Sequence, residues 1–76
     1  MPKLPVVKAR DLLNALQSIG FVVHHQRGSH IQLKHPDGRR VTVPMHTGTD
    51  IRRGTLRAII RDTSLSVDEF VELLKR

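Results

Sequence analysis

A histidine follows a glycine–serine pair at position 30 and opens a segment in which polar and apolar residues alternate. In a β-strand this alternation points Ile31 and Leu33 to one face and His30, Gln32 and Lys34 to the other. An imidazole titrates near neutral pH, so it can take a proton from a ribose 2′-hydroxyl. Attack of that oxygen on the adjacent phosphate cuts RNA without a metal ion. The pattern therefore suggests a proton-transfer site acting on RNA.

Basic side chains surround this histidine in the predicted sheet. The next strand contributes Arg40 and Thr42 to the same face as His30 and Lys34. Cations there would stabilise the additional negative charge of a phosphorane. Gly28 lacks the side-chain bulk that would block a phosphate from the imidazole. The alternative is that His30 is a surface histidine with no functional role.

Four other histidines need separate interpretations. His46, in the connector after the third strand, is a second candidate for proton transfer or RNA contact. His24 and His25 are adjacent on a strand and are expected to point to opposite faces, whereas His35 is expected to be structural. No spacing resembles a metal-ligand set and the chain has no Cys, so we expect no metal and no cofactor. The general acid stays open among His46, Lys34, Arg40 and solvent.

A second basic feature is a line of arginines at intervals of four residues, Arg53, Arg57 and Arg61, with Arg52 beside it. On a helix this spacing gives one basic edge, which fits contacts to phosphates. A merely solvated helix face is the alternative.

Charge is unevenly distributed along the chain. Thirteen Lys and Arg face seven Asp and Glu, a net charge of +6. Residues 1–61 hold eleven basic and three acidic side chains, whereas residues 62–76 hold two basic and four acidic. A basic body favours a polyanionic partner, although solubility alone is the plainer reading. The only aromatic residues, Phe21 and Phe70, fit core positions, which argues against base stacking.

The elements that position these residues follow from hydrophobic spacing and turn signals. Gly20 ends the first helix, and the turn signals Gly28-Ser29 and Pro36-Asp37-Gly38 separate the three strands that follow. A capping box that begins at Ser66 marks the start of the last helix. Short turns make the sheet an antiparallel meander, covered by helices on one face and open on the other. The predicted fold is an α+β two-layer sandwich in a single domain, 1–76, of order α-β-β-β-α-α. The predicted ranges are 8–19 for the first helix, 21–27, 30–35 and 40–43 for the strands, 55–61 for the second helix, and a third helix from Ser66.

The chain resembles the HicA toxin family over nearly its whole length. The resemblance is carried by Gly20-Phe21, Arg27-Gly28-Ser29-His30, His35-Pro36-Asp37-Gly38-Arg39-Arg40-Val41-Thr42-Val43-Pro44, His46, Gly54-Thr55-Leu56, Ile59 and Leu65-Ser66-Val67-Asp68-Glu69-Phe70. It implies a fold like that of double-stranded-RNA-binding domains and the activity of an mRNA interferase, a toxin that cleaves transcripts. It also implies that His30 is the catalytic residue.

The resemblance further implies a HicB-type antitoxin partner that covers the active face and usually carries the DNA-binding part of the complex. We therefore expect no direct DNA contact without the antitoxin. The absence of Cys and of an apolar run of about 18 residues leads us to expect a cytoplasmic protein with no membrane contact. A non-catalytic RNA-binding module of the same fold is the main alternative. A DNA-binding regulator that uses the second helix is less favoured, because that helix is short and follows a three-stranded sheet. The predicted RNA contacts are Arg27, Gly28, Ser29, Lys34, Arg40, His46, Arg53 and Arg57.

Overall fold

The computed structural model describes residues 4–45 and 50–75 and has the predicted order of elements. The three strands form one antiparallel sheet in the order β1-β2-β3, and the helices provide the second layer. The α+β prediction is therefore confirmed. The elements are α1 (Ala9–Ser18), β1 (Val22–Arg27), β2 (His30–Lys34), β3 (Arg40–Pro44), α2 (Arg53–Thr63) and α3 (Val67–Leu74).

The second and third helices are delimited by backbone and capping geometry. Helix α2 exceeds its predicted range by two residues at each end, because Leu56 N–H already donates to the Arg52 carbonyl at 2.8 Å. It ends where Ser64 adopts a left-handed conformation with φ of 62°. Helix α3 opens with the predicted capping box. The Ser66 N–H donates to the Glu69 carboxylate at 2.9 Å, and the Glu69 N–H donates to the Ser66 hydroxyl at 3.1 Å. The backbone N–H of Ser66 lowers the pKa of the Glu69 carboxyl.

The core lies between the helices and one face of the sheet. Phe21 and Phe70, 1% and 0% exposed, both lie in it, as predicted. Helices α1 and α2 both pack against β3, whereas all six residues of β1 are exposed. The open surface of the sheet therefore extends across β1. The inward-facing strand residues are Ile31, Leu33, Val41 and Val43, and they meet the buried helical residues Ala9, Leu12, Leu16, Leu56, Ile59 and Ile60.

His35 joins the β2–β3 turn to the end of α1, which supports its predicted structural role. Its Nε2 lies 3.0 Å from the Ile19 carbonyl, and the Asp37 N–H lies 3.2 Å from its Nδ1. Because a carbonyl only accepts, Nε2–H is the donor to Ile19, and Nδ1 also lies 3.0 Å from Oδ1 of Asp37. Gly20 has φ of 103°, and a Cβ at that position would lie 2.9 Å from this Nε2. Glycine is therefore required there both by the backbone and by the imidazole.

Arg39 makes the corresponding connection to α2. Its Nη1–H donates to the Thr63 carbonyl, and its guanidinium lies 5.2 Å from the centre of the Phe21 ring. Its Nε–H donates to Asp37 at 2.8 Å. The tip of the sheet is thus attached to the C-terminal ends of two helices. This attachment lies at the end of the sheet away from His30.

Candidate nucleic-acid site on the open sheet face

Strand register decides which side chains share the sheet face that the helices leave uncovered. Directly opposed residues lie on one face of a sheet. The first row across that face joins Arg27 to His30, and His30 to Pro44. Two further rows are His25–Gln32–Thr42 and Val22–Lys34–Arg40. We call the surface formed by these three rows the outer face.

His30 is exposed at the first position of β2, directly after the β1–β2 turn. Its cross-strand partner is Arg27, which is also exposed. Opposed Cβ atoms lie about 4.5–5.5 Å apart in such a pair, so an imidazole and a guanidinium stand side by side. Lys34 and Arg40 lie on the same face, as the alternation predicted. Their roles in binding or catalysis stay predictions.

The Gly28-Ser29 turn before His30 is fixed by a backbone hydrogen bond to the residue after β3. Gly28 has φ of 59°, a conformation that favours glycine, and a Cβ added there would meet no atom within 4 Å. The Ser29 carbonyl accepts the N–H of Met45, which attaches the turn to the end of β3. The space above Gly28 is therefore open from outside while the backbone beneath it is anchored. That geometry suits the approach of a bulky polyanion to His30.

The outer face carries positive charge without local compensation. None of the three strands contains an acidic residue. Asp37, in the β2–β3 turn, already accepts hydrogen bonds from the backbone N–H and from the guanidinium of Arg39. The backbone bond is the main reason that the pKa of the Asp37 carboxyl lies below its usual value. A surface of this kind attracts polyanions and raises their rate of association.

The arginines of the second helix occupy a different surface. Arg53, Arg57 and Arg61 are exposed on α2 as predicted, and Arg52 is the extended residue before it. Because α2 belongs to the helical layer, these side chains do not lie on the outer face. His46 falls outside the described residues. The structure therefore brings His30 together with Arg27, Lys34 and Arg40, and it places Arg53 and Arg57 elsewhere.

One member of the outer face was not identified from the sequence. A β-bulge between Val23 and His25 makes His24 an extra residue in β1 and interrupts the expected alternation. Beyond the bulge, His25 lies opposite Gln32 on the outer face. Uninterrupted alternation from Val23, which is paired with inward-facing Leu33, would have placed Arg27 on the inner face. The pairing of Arg27 with His30 across a two-residue turn was the available signal that β1 contains one extra residue.

The structure describes residues 4–45 and 50–75, and two negative findings apply to these ranges. Within these ranges no group of three His, Cys, Asp or Glu side chains is placed to hold a metal ion. Within the same ranges, no helix has both the length and the apolar character to cross a membrane.

Comparison with known proteins assigns the family. A protein-family model described as the HicA toxin of bacterial toxin–antitoxin systems matches residues 9–65, well over half of the chain. This chain belongs to the HicA toxin family. A comparison with curated proteins gave no match. The HicA match begins at the first residue of α1 and includes the whole sheet and α2, whereas α3 lies beyond it.

Membership of the HicA family has a direct functional consequence. The chain is a toxin of a toxin–antitoxin system, and it works with a partner within such a system. The matched residues include His30, the outer face and the arginines of α2.

Proposed function

We propose that this HicA toxin is a metal-independent endoribonuclease that cleaves mRNA, with His30 as the catalytic base. The observation that carries the proposal is the exposed imidazole of His30 opposite Arg27, on a sheet face whose strands hold no acidic residue. RNA supplies both reactants, because its 2′-hydroxyl is the nucleophile and its neighbouring phosphate is the electrophile. The protein needs only to orient them, move protons and stabilise charge.

The proposed cleavage reaction transfers one proton from the 2′-hydroxyl and one to the 5′-oxygen. Neutral His30 takes the proton of the 2′-hydroxyl as the 2′-oxygen bonds to phosphorus. The bond from phosphorus to the 5′-oxygen then breaks, and that oxygen takes up a proton. The products are a 2′,3′-cyclic phosphate and a free 5′-hydroxyl. Arg27, Lys34 and Arg40 would offset the charge on the phosphorane and hold the flanking phosphates.

The partner in this proposal is a HicB-type antitoxin that covers the outer face. A basic, exposed face on the toxin is best complemented by acidic side chains on the antitoxin, which would exclude RNA by charge and by bulk. Membership of a toxin–antitoxin family supports the existence of such a partner. The exposure of His30 supports direct coverage as the mode of inhibition.

Cleavage of RNA in EDTA tests the activity. Purified toxin should cut a mixture of long RNAs equally well in EDTA and in Mg²⁺, because no step uses a metal ion. The new 3′ ends should be cyclic phosphates, which resist phosphatase until acid opens them to monoesters, and mass spectrometry should confirm them. Cleavage that requires Mg²⁺, or that leaves 5′-phosphates, would rule out this mechanism. Binding of RNA with no cleavage would favour the non-catalytic module.

The arginines of α2 provide a separate prediction about binding. Replacing both Arg53 and Arg57 with Glu should weaken RNA binding and flatten its dependence on salt. The expected change in the slope of log affinity against log salt is about 0.7 for each lost phosphate contact with single strands. Fluorescence anisotropy at several salt concentrations measures that slope.

The control for this experiment is a reversal that changes the net charge equally at another place. Lys75 is exposed after α3 and lies outside the residues matched by the family model. Its Nζ lies 3.6 Å from Oε1 of Glu72. Because Lys75→Glu is a single reversal, it is compared with Arg57→Glu alone, which changes the net charge by the same amount. If both alter the slope equally, only net charge matters and α2 is not part of the binding surface.

A further inference from the structure

We infer that His25 is the general acid that protonates the leaving 5′-oxygen, which makes the outer face a two-histidine site. This inference rests on the proposed ribonuclease activity. It assigns the one proton transfer for which the sequence left several candidates open.

The β-bulge places His25 in position for this role. Because His24 is the extra residue, His25 pairs with Gln32 and Arg27 pairs with His30. His25 and His30 are therefore diagonal neighbours on one face. Diagonal neighbours in an antiparallel pair lie roughly 7–8 Å apart. Both side chains are exposed, so a phosphodiester can enter between them.

The chemistry of the candidates favours an imidazole. A guanidinium is not deprotonated in proteins, so Arg40 can stabilise charge but cannot give up a proton. An alkylammonium such as that of Lys34 is a weak proton donor near neutral pH. An imidazole can hold a proton and release it in the same pH range, which is what an acid and a base in one cycle require.

The charges that face His25 are all of one sign. They come from Arg27 on its own strand, from Lys34 on β2 and from Arg40 on β3, and the imidazole of His30, the neutral base of the proposed reaction, is the titratable group beside them. Its row partners Gln32 and Thr42 are uncharged, and the helices pack on the opposite side of the sheet. The phosphates of bound RNA would supply the opposing negative charge on this face.

The two transfers balance within one cleavage. Neutral His30 gains the proton of the 2′-hydroxyl, and protonated His25 gives its proton to the 5′-oxygen as the phosphorus–oxygen bond breaks. No proton is gained or lost overall. Exchange with solvent then returns each histidine to its starting form.

A chemically altered leaving group tests this role. The probe is an RNA oligonucleotide whose cleaved linkage carries sulfur in place of the bridging 5′-oxygen, since a thiolate leaves without needing a proton. His25→Gln should cleave the natural linkage about 10²–10⁴-fold more slowly than wild type, the usual contribution of such catalysis. It should cleave the sulfur-bridged linkage at close to the wild-type rate. His30→Gln should be slow on both, because the base is still needed.

His24→Gln is the matched control, since it makes the same change one residue away at the extra position of the bulge. It should cleave both linkages as wild type does. The inference is overturned if His25→Gln retains full activity on the natural linkage, or if it is equally slow on both linkages. It is also overturned if His24→Gln shows the selective rescue instead. Failure of wild type to cleave either RNA would instead refute the ribonuclease proposal, and the role of His25 would fall with it.

Discussion

Replacing His30 with glutamine should lower the rate of RNA cleavage by about 10²–10⁴-fold, the usual contribution of a general base. The fold should not change, because His30 is exposed at the start of β2. Substitutions at such positions usually alter the free energy of unfolding by less than about 0.5 kcal/mol. RNA binding should also be largely retained, because Arg27, Lys34 and Arg40 remain in place.

Cleavage rates measured with saturating RNA, together with urea denaturation, separate these effects. His24→Gln is again the suitable control, because it removes an exposed histidine from the neighbouring strand. Expression of the His30 variant should also no longer arrest growth of the host cells. If His30→Gln unfolds the domain, the position is structural and the catalytic assignment is wrong. If it cleaves as fast as wild type, the base is another residue.

Replacing Phe21 with alanine should lower the free energy of unfolding by about 3–5 kcal/mol, the usual loss for a buried phenylalanine. The ring is 1% exposed, and its centre lies 5.0 Å from that of the His35 ring in an edge-on arrangement. Arg39 lies over the same ring at 5.2 Å. Truncation therefore leaves a cavity, and it also removes the ring against which His35 and Arg39 pack.

The loss is large for a domain of this size. Domains are stabilised by roughly 0.05–0.15 kcal/mol per residue, so removing several kcal/mol brings a short chain close to unfolding. Urea denaturation followed by circular dichroism measures the change. Val22→Ala is the matched control, because Val22 is the next residue and is 61% exposed. Equal losses in the two variants would show that Phe21 does not have the role in the core assigned to it.

Much of this protein could be predicted from local patterns. Alternation in β2 and β3 placed His30, Lys34 and Arg40 on one face, because neighbouring side chains in a strand must point to opposite sides. Hydrophobic spacing predicted the helices, because residues three and four positions apart share one face of a helix. The capping box at Ser66 was equally readable, since it is made within four residues.

Adjacent residues of identical type show where local patterns stop being sufficient. Arg39 and Arg40 carry the same charge, yet Arg39 bonds to the Thr63 carbonyl while Arg40 lies on the outer face. Alternation accounts for the face of Arg40, but the bond of Arg39 depends on the approach of α2 to the β2–β3 turn, between residues 24 positions apart.

The face on which His25 lies was likewise decided by tertiary structure. The sequence by itself determined the fold class, the basic open sheet and the position of His30 on it, because each depends on spacing within one element or one turn. The residue count of β1 exceeds that of β2, and the sheet accommodates the difference with a bulge at His24. A bulge reverses the faces of the residues on one side of it. The pairing of β1 with β2, and not alternation along β1 alone, therefore brings a second histidine to the outer face.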